Sequence, residues 1–379
     1  MARLYLVAGK VTDSVTYGFL PAAERLGLDV VVLTDRPDEH ERAYRRHAIV
    51  GCDVLDFRAI VDAVRAPDAI FSNSDHLQAP TALAAAYFGL AGKDWRAAVR
   101  AKNKALMRRH LDDGVFSAEL GTPGVDPRGA PYPLVLKPRE GVASEDVVLV
   151  ENPAELAARV AEIGHRRPLI VEEYLPGDLH TLETLGDGRE LRALGSFRTT
   201  LSPPPYFIEE RLEWAPPPPE TGQVFEQLSA LGVGFGACHT EFVVHAGRAR
   251  LIEVNYRNIG DHCDFLLADL LRIPLFDDVL RVHLGEPLPP PPPCPAEHAV
   301  VEYVVADRSG TLTAAPKPGE RVLNGVRVAY RAQRAIGTAV ALSHTNRDYL
   351  GTIQAVGPSP AAVDAAIARF RADHVWDIT

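Results

Sequence analysis

His239-Thr240-Glu241-Phe242-Val243-Val244-His245-Ala246-Gly247-Arg248-Ala249-Arg250-Leu251-Ile252-Glu253-Val254-Asn255-Tyr256-Arg257 reads as two strands joined by a tight turn at Gly247. With Gly247 at the centre, Glu241 stands directly across from Glu253. Opposed residues on paired strands share a face, at Cβ separations of about 4.5–5.5 Å. Side chains alternate with period two, so Glu253, Asn255 and Arg257 fall on that face. Phe242, Val244, Ile252 and Val254 then form the apolar one. Two like charges facing each other destabilise a hairpin. A hard cation offsets that repulsion, and nucleotide-bound magnesium uses few carboxylates together with phosphate oxygens. Arg257 suits a phosphoryl oxygen or a carboxylate. The plainer alternative is a surface hairpin whose acids pair with Arg248 or Arg250. The asparagine and arginine on the acidic face weigh against it.

Upstream, Tyr132 to Lys137 is an apolar strand ending in a lysine, followed by Pro138 and a loop with Gly141 and Ser144. A lysine at a strand end beside such a loop is either a phosphate clamp or a surface residue with a snorkelling stem. The loop is not glycine-rich, so it is neither a Walker loop nor a dinucleotide fingerprint. Asn152, Pro153 and Glu155 are start signals for a helix. Leu169 to Gly177 is a strand running into a turn, whose edge suits an adenine ring or simply a core strand.

The first third alternates strands (Leu4 to Ala8, Val30 to Leu33, Ile49-Val50, Ala69 to Phe71) with helical patterns at Phe19 to Leu26 and Thr81 to Leu90. That alternation implies a doubly wound parallel sheet. Trp95 to Leu111 reads as one further helix. Proline runs at 202–205, 216–219 and 289–293 are stiff, extended spacers. The last precedes a C-terminal unit of short strands, closed by a helix that Ser359-Pro360 caps.

A chain of 379 residues exceeds what one core usually supports, so several cores are expected. The net charge of −10 argues against a general nucleic-acid or anionic-membrane binder, although local phosphate sites remain compatible with it. Cys52, Cys238, Cys263 and Cys294 form no CxxC pair, which points to reduced thiols rather than a zinc site or disulfide framework. No signal peptide and no stretch of about 18 apolar residues is visible, so a cytoplasmic protein is expected.

Taken in order, Asn103-Lys104, Lys137-Pro138 with Gly141, Glu172-Glu173-Tyr174-Leu175, Glu241, and Glu253-Val254-Asn255-Tyr256-Arg257 resemble the ATP-grasp superfamily over nearly the whole chain. The tail, around Arg334 to Gly337 and Asn346 to Gly351, is similar to biotin-carboxylase C-terminal regions. The resemblance implies an α/β ATP-grasp fold. An N-terminal Rossmann-like domain would span 1–100, a central helix and lid 101–200, a catalytic subdomain 201–294 and a C-terminal subdomain 295–379. It implies that Lys104 and Lys137 hold ATP phosphates under a loop carrying Gly141 and Ser144. Glu172, Glu173, Tyr174 and Leu175 would line the adenine, with His180 or Asp178 on the ribose. Glu241, Glu253 and Asn255 would bind two Mg2+ ions, or Mn2+ in their place. Arg257 would steady the acyl phosphate, with Asp261 and His262 beside it as base or substrate contact. Arg192 and Arg198 are further candidates for substrate anions. Asn103 departs from the commoner aspartate, and Leu179 stands where many members carry a ribose-binding acid.

The implied reaction is a two-step ligation of a small-molecule carboxylate and an amine, in specialised or siderophore-type biosynthesis. The carboxylate attacks the γ-phosphate of ATP, and the nucleophile then displaces phosphate. Alternatives are a bicarbonate-activating carboxylase, a catalytically silent nucleotide sensor, or a scaffold using its proline runs. Dimers are common in the family, which leaves a homodimer open.

Overall fold

The computed structural model describes residues 1–111, 113–121 and 129–379, which fall into two compact units. The first comprises residues 1–111, 181–196 and 217–293; the second takes 112–180, 197–216 and 294–379.

The first unit opens on a parallel sheet. β1 (Arg3–Val7), β2 (Asp29–Thr34), β3 (Ala48–Gly51) and β4 (Ala69–Phe71) run in the order β3-β2-β1-β4. Each strand is a short apolar run followed by a helical crossover, the arrangement that parallel pairing requires. Tyr5, Val7, Leu33, Ile60, Ile70 and Leu77 form its core. The strand order reverses between β1 and β4, so the crevice at their carboxyl ends is where such sheets take ligands.

The stretch 95–111 is not one helix. Trp95–Lys102 and Lys104–Leu111 are separate, with Asn103 extended between them at φ −100° and ψ 103°. Asn103 Oδ1 accepts from Leu106 N at 3.1 Å, which is N-cap geometry. A side chain that caps the second helix cannot also continue the first.

The same unit holds a hairpin of Phe235–His245 and Arg248–Asn255, with Phe235–His245 neighbouring the strand Asp178–Asp187. The helix Thr221–Leu231 supplies Val224, Leu228 and Leu231 to the core beneath the hairpin. Helices Cys263–Leu271 and Leu275–His283 follow.

The second unit has an antiparallel sheet in the order Ser117–Glu119, Leu169–Glu173, Leu134–Pro138 and Val148–Val150. Helix Pro153–Ile163 packs Leu156 and Ile163 onto it. Asn152 accepts from Ala154 N and Glu155 N, and Glu155 in turn accepts from Asn152 Nδ2 and Glu151 N. The unit's C-terminal part is antiparallel, with Glu209–Ala215, His298–Val305, Tyr349–Gly357, Val326–Ala332 and Gly319–Leu323 side by side. Helix Pro360–Ala372, capped by Ser359, covers it with Val363, Ile367 and Phe370. Among the described residues no helix is long and apolar enough to cross a membrane.

Candidate active site

The hairpin turn is Ala246-Gly247, both left-handed at φ 48° and 72°, a two-residue turn suited to the twist of paired strands. His245 lies opposite Arg248, so the centre falls between Ala246 and Gly247 rather than on Gly247. Continued unchanged, that register would set Glu241 against Ile252. Instead the register shifts between Glu241 and Phe242: Phe242 opposes Leu251, and Glu241 opposes Glu253. Ile252 is the extra residue of a β-bulge. The expected acid pair therefore forms, but by a different route. The bulge also corrects the apolar face. Leu251, fully buried, takes the place expected of Ile252, which is partly exposed.

His239 opposes Asn255 in the same ladder, so His239, Glu241, Glu253 and Asn255 form one polar patch. Lys104 Nζ lies 2.8 Å from Glu253 Oε1, with the lysine side chain only 7% exposed. His239 Nε2 is 3.6 Å from Glu241 Oε1, and its Nδ1 is 2.8 Å from Glu183 Oε1. Asn255 Nδ2 donates to Glu241 Oε1 at 3.4 Å. The repulsion between the two acids is thus countered by Lys104 and His239, not by Arg248 or Arg250.

Protonation follows from these neighbours. Burial opposes the charge on His239, yet Glu183 and Glu241 push its pKa up to about 10. Burial likewise opposes ionisation of Glu241, but His239, Lys104 and Arg257 hold its carboxyl below the usual range. Lys104 is raised despite burial, by Glu253 first and then Glu241 and Asp75. The patch offers two carboxylates and an amide oxygen held under cationic groups. Among the described residues no set of three His, Cys, Asp or Glu side chains stands ready to hold a metal. An oxygen-only set this sparse fits magnesium that shares its shell with phosphates, rather than zinc or a calcium cage.

Arg257 departs from the period-two expectation. The strand ends at Asn255, and Arg257 N turns back to Asn255 O at 2.7 Å. Its Nη1 donates to Asn258 O at 2.6 Å. Asn258 N in turn reaches Asn73 Oδ1 at 3.2 Å, beyond the carboxyl end of β4. Asp261 and His262 are consecutive left-handed residues at φ 54° and 61°, strain of a kind that clusters at functional sites. His262 Nε2 lies 2.6 Å from Asp13 Oδ2, beyond the carboxyl end of β1. Burial pushes the Asp261 carboxyl up, opposed by Arg257, His262 and His239. Asp75 pairs with Lys102; burial opposes its ionisation, but Lys102 and Arg257 hold it below the usual range. The first unit therefore brings Glu241, Glu253, Asn255, Arg257, Asp261 and His262 onto one hairpin and the loop that follows it, with Lys104 reaching Glu253 from the start of the helix Lys104–Leu111. Arg192, also in this unit, pairs with Glu190 and donates to the Pro289 carbonyl.

Sequence reasoning did not single out Glu183, His239, Asp13 or Asp75. His239 was within reach, because it lies two residues from Glu241 on the same strand. The others depend on sheet order and loop packing, at separations of 27 residues for Asp75–Lys102, 56 for Glu183–His239 and 249 for Asp13–His262.

In the second unit, Lys137 Nζ lies 2.7 Å from Glu172 Oε2, both side chains buried. Lys137 opposes Ile170 and Glu172 opposes Val135, so the pair is a diagonal contact on one face of adjacent strands. Glu173, Tyr174 and Leu175 follow at the strand end, and the Tyr174 ring lies 6.4 Å from that of Phe207. His180 is the third residue of the strand Asp178–Asp187. Gly141 and Ser144 sit in a loop where Ala143, Ser144 and Asp146 all adopt left-handed backbone, and Ala143 O accepts from Asn346 N at 3.1 Å. Arg198 pairs with Glu213 at 2.9 Å.

A family model described as an ATP-grasp domain matches residues 101–202. No curated protein sequence matches the chain. Among solved structures, it is similar to an L-amino acid ligase from Bacillus licheniformis, with a TM-score of 0.79 and 20% identity over 100% of this chain and 99% of that one. It is also similar to an N5-carboxyaminoimidazole synthetase from Staphylococcus aureus complexed with ADP (0.70, 15%, 98% and 96%). A third is a biotin carboxylase from Campylobacter jejuni (0.68, 16%, 99% and 92%). At these identities the likeness establishes the fold.

Proposed function

We propose that this chain, which carries an ATP-grasp domain and the ATP-grasp fold, is an ATP-dependent ligase that joins a carboxylate to an amine through an acyl phosphate. The observation that carries this reading is the acid pair. Glu241 and Glu253 are held face to face across a bulged hairpin, with Asn255 on the same face and Lys104 against Glu253. The similar structures include an amino acid ligase and a synthetase that holds ADP, which supports nucleotide use and C–N bond formation.

In this reading Glu241, Glu253 and Asn255 hold magnesium, which supplies charge neutralisation at the phosphates. Lys104, already charged and buried, contributes a fixed cation to the phosphoryl group in flight. Such pre-set charges account for most of the catalysis in phosphoryl transfer. Lys137, whose Nζ lies 2.7 Å from Glu172 Oε2, is the second lysine this reading assigns to the phosphates. The strand end Glu172 to Leu175 and His180 bind the nucleoside, and the loop with Gly141 and Ser144 covers the phosphates. The range 101–200 would then hold the central helix and the lid, and 201–294 the catalytic subdomain. Arg257 receives the substrate carboxylate and steadies the charge that develops on it. His262, oriented by Asp13, and Asp261 accept or relay the proton released by the attacking amine. Arg192 and Arg198 reach substrate anions only by giving up their present acidic partners, Glu190 and Glu213.

The test is an ADP-release screen with amino acids, di- and tricarboxylates and amines, using Glu253→Ala as the control. Magnesium-dependent release that needs a carboxylate and disappears in the variant is the expected result. Full activity in Glu253→Ala overturns the metal assignment. The likeness to a biotin carboxylase favours a second reading, bicarbonate activation. ADP release that needs bicarbonate and no amine would select it.

A further inference from the structure

Lys93 has no part in the chemistry above, yet it is set deep in the first unit. It precedes the helix Trp95–Lys102 and is 9% exposed. Its Nζ donates to Gln78 Oε1 at 2.6 Å and to the main-chain oxygen of Tyr256. The same ammonium lies 4.4 Å from the centroid of the Tyr256 ring. These partners are neutral, and among the described residues no carboxylate forms an ion pair with it. Removing an unpaired ammonium from water is costly. Burial accordingly pushes Lys93 down to about 7.

The surroundings are shaped around this side chain. Gly236 has φ +70°, and a Cβ there would stand 2.9 Å from Lys93 Cε and 3.1 Å from His283 Cε1. A methionine would fill a similar volume without charge, so the two hydrogen bonds must account for the lysine. One leads to the loop after β4. Gln78 Nε2 donates to Ser72 O at 2.9 Å and Ser74 O at 2.7 Å, which fixes the segment carrying Asn73. The other ends on the carbonyl of Tyr256, inside the turn where the strand stops and Arg257 begins. Asn73 Oδ1 closes the circuit by accepting from Asn258 N. Lys93 thus ties the β4 loop to both sides of Arg257.

We propose that Lys93 is a positioning residue for Arg257. It clamps the Tyr256 carbonyl so that the turn presents the guanidinium at one fixed place beside the acidic hairpin. This role rests on the reading of Arg257 as the group that receives the substrate carboxylate.

Hydrogen–deuterium exchange on the full chain tests the clamp without any substrate. In Lys93→Met, exchange at the amides of Arg257 and Asn258 should rise about tenfold while amides between 242 and 251 stay protected. Gln78→Met keeps the ammonium and its bond to Tyr256, and should give a smaller change of the same pattern. Kinetics supply the second arm, using the most active carboxylate from the screen. Lys93→Met should raise KM for that carboxylate about tenfold and leave KM for Mg-ATP within about twofold. Unchanged exchange at 257 and 258 in both variants, or protection lost evenly across hairpin and turn, overturns the positioning role. Equal effects on both substrates overturn it as well. If the wild-type chain releases no ADP with any carboxylate, the ligase reading fails, and the exchange pattern alone decides Lys93.

Discussion

Glu253 and Lys104 illustrate how a single charge acts on both stability and chemistry. Removing Glu253 leaves Lys104 buried without its partner. Glu253→Ala is therefore expected to cost about 1–3 kcal/mol of unfolding free energy, read by urea denaturation. Glu253→Ala with Lys104→Met should recover part of that loss while remaining inactive. A double variant no more stable than the single one would show that the pair contributes little. Lys93 gives a pH signature. Its folded-state pKa of about 7 lies below the ordinary lysine value of 10.5. Between these values the unfolded chain holds a proton that the folded chain has released, so this group makes stability rise with pH above about 7. His239 acts in the opposite sense. Its pKa is raised to about 10 from 6.5, so its contribution is full below 6.5 and is lost as pH rises through about 10. Cys238, raised by burial to about 12, matters only above the ordinary thiol range. Among the other groups facing Lys93, Asp75 is held below the usual carboxylate range and burial pushes His283 down to about 3, so neither changes charge near neutrality. The comparison of wild type with Lys93→Met between pH 7 and about 8.5 cancels the His239 contribution. Wild type should gain stability relative to the variant over that range. A constant difference would contradict the burial of a charged Lys93.

Elements show which parts of the site the sequence could carry. That Glu241 and Glu253 meet was legible in part, because they lie twelve residues apart around one turn, but their direct opposition was reached through a turn centre placed one position off, which the bulge offsets. The bulge at Ile252 was not legible, since nothing in Leu251-Ile252-Glu253 marks an extra residue; the face of Leu251 was misread for that reason. Helical periodicity also hid the break at Asn103, because Trp95 to Leu111 keeps an amphipathic pattern through it. There the residue type held the clue. Asparagine is a favoured N-cap, and aspartate, the commoner family residue at this place, caps equally well. Asn103→Asp should therefore preserve both stability and activity. Asn103→Ala should cost about 1 kcal/mol, measured by thermal or urea unfolding. It should also lower activity, because Lys104 is the first residue of the helix so capped. An alanine variant as stable as wild type would remove the cap from the account. Asp13, after β1, stayed unread because its partner His262 lies 249 residues on; Asp75, after β4, meets Lys102 27 residues on, through loop packing that no local pattern marks.

For the whole molecule, the alternation of strand and helix was enough to place the N-terminal parallel sheet, whose four strands lie where the apolar runs fall. The two units are each assembled from separated stretches of chain, which no local signal announces. Ligand linkage should act on the folded chain as a whole. Mg-ATP at about a hundred times its Kd should stabilise it by about 2.7 kcal/mol, visible as a rise in Tm that disappears with EDTA. A shift of the same size without magnesium would argue against metal held at Glu241 and Glu253. The most direct measurement supplies the active carboxylate labelled with 18O, together with Mg-ATP and the amine. One labelled oxygen should appear in the released phosphate, with ADP as the nucleotide product. Unlabelled phosphate, or AMP with pyrophosphate, would contradict activation through an acyl phosphate.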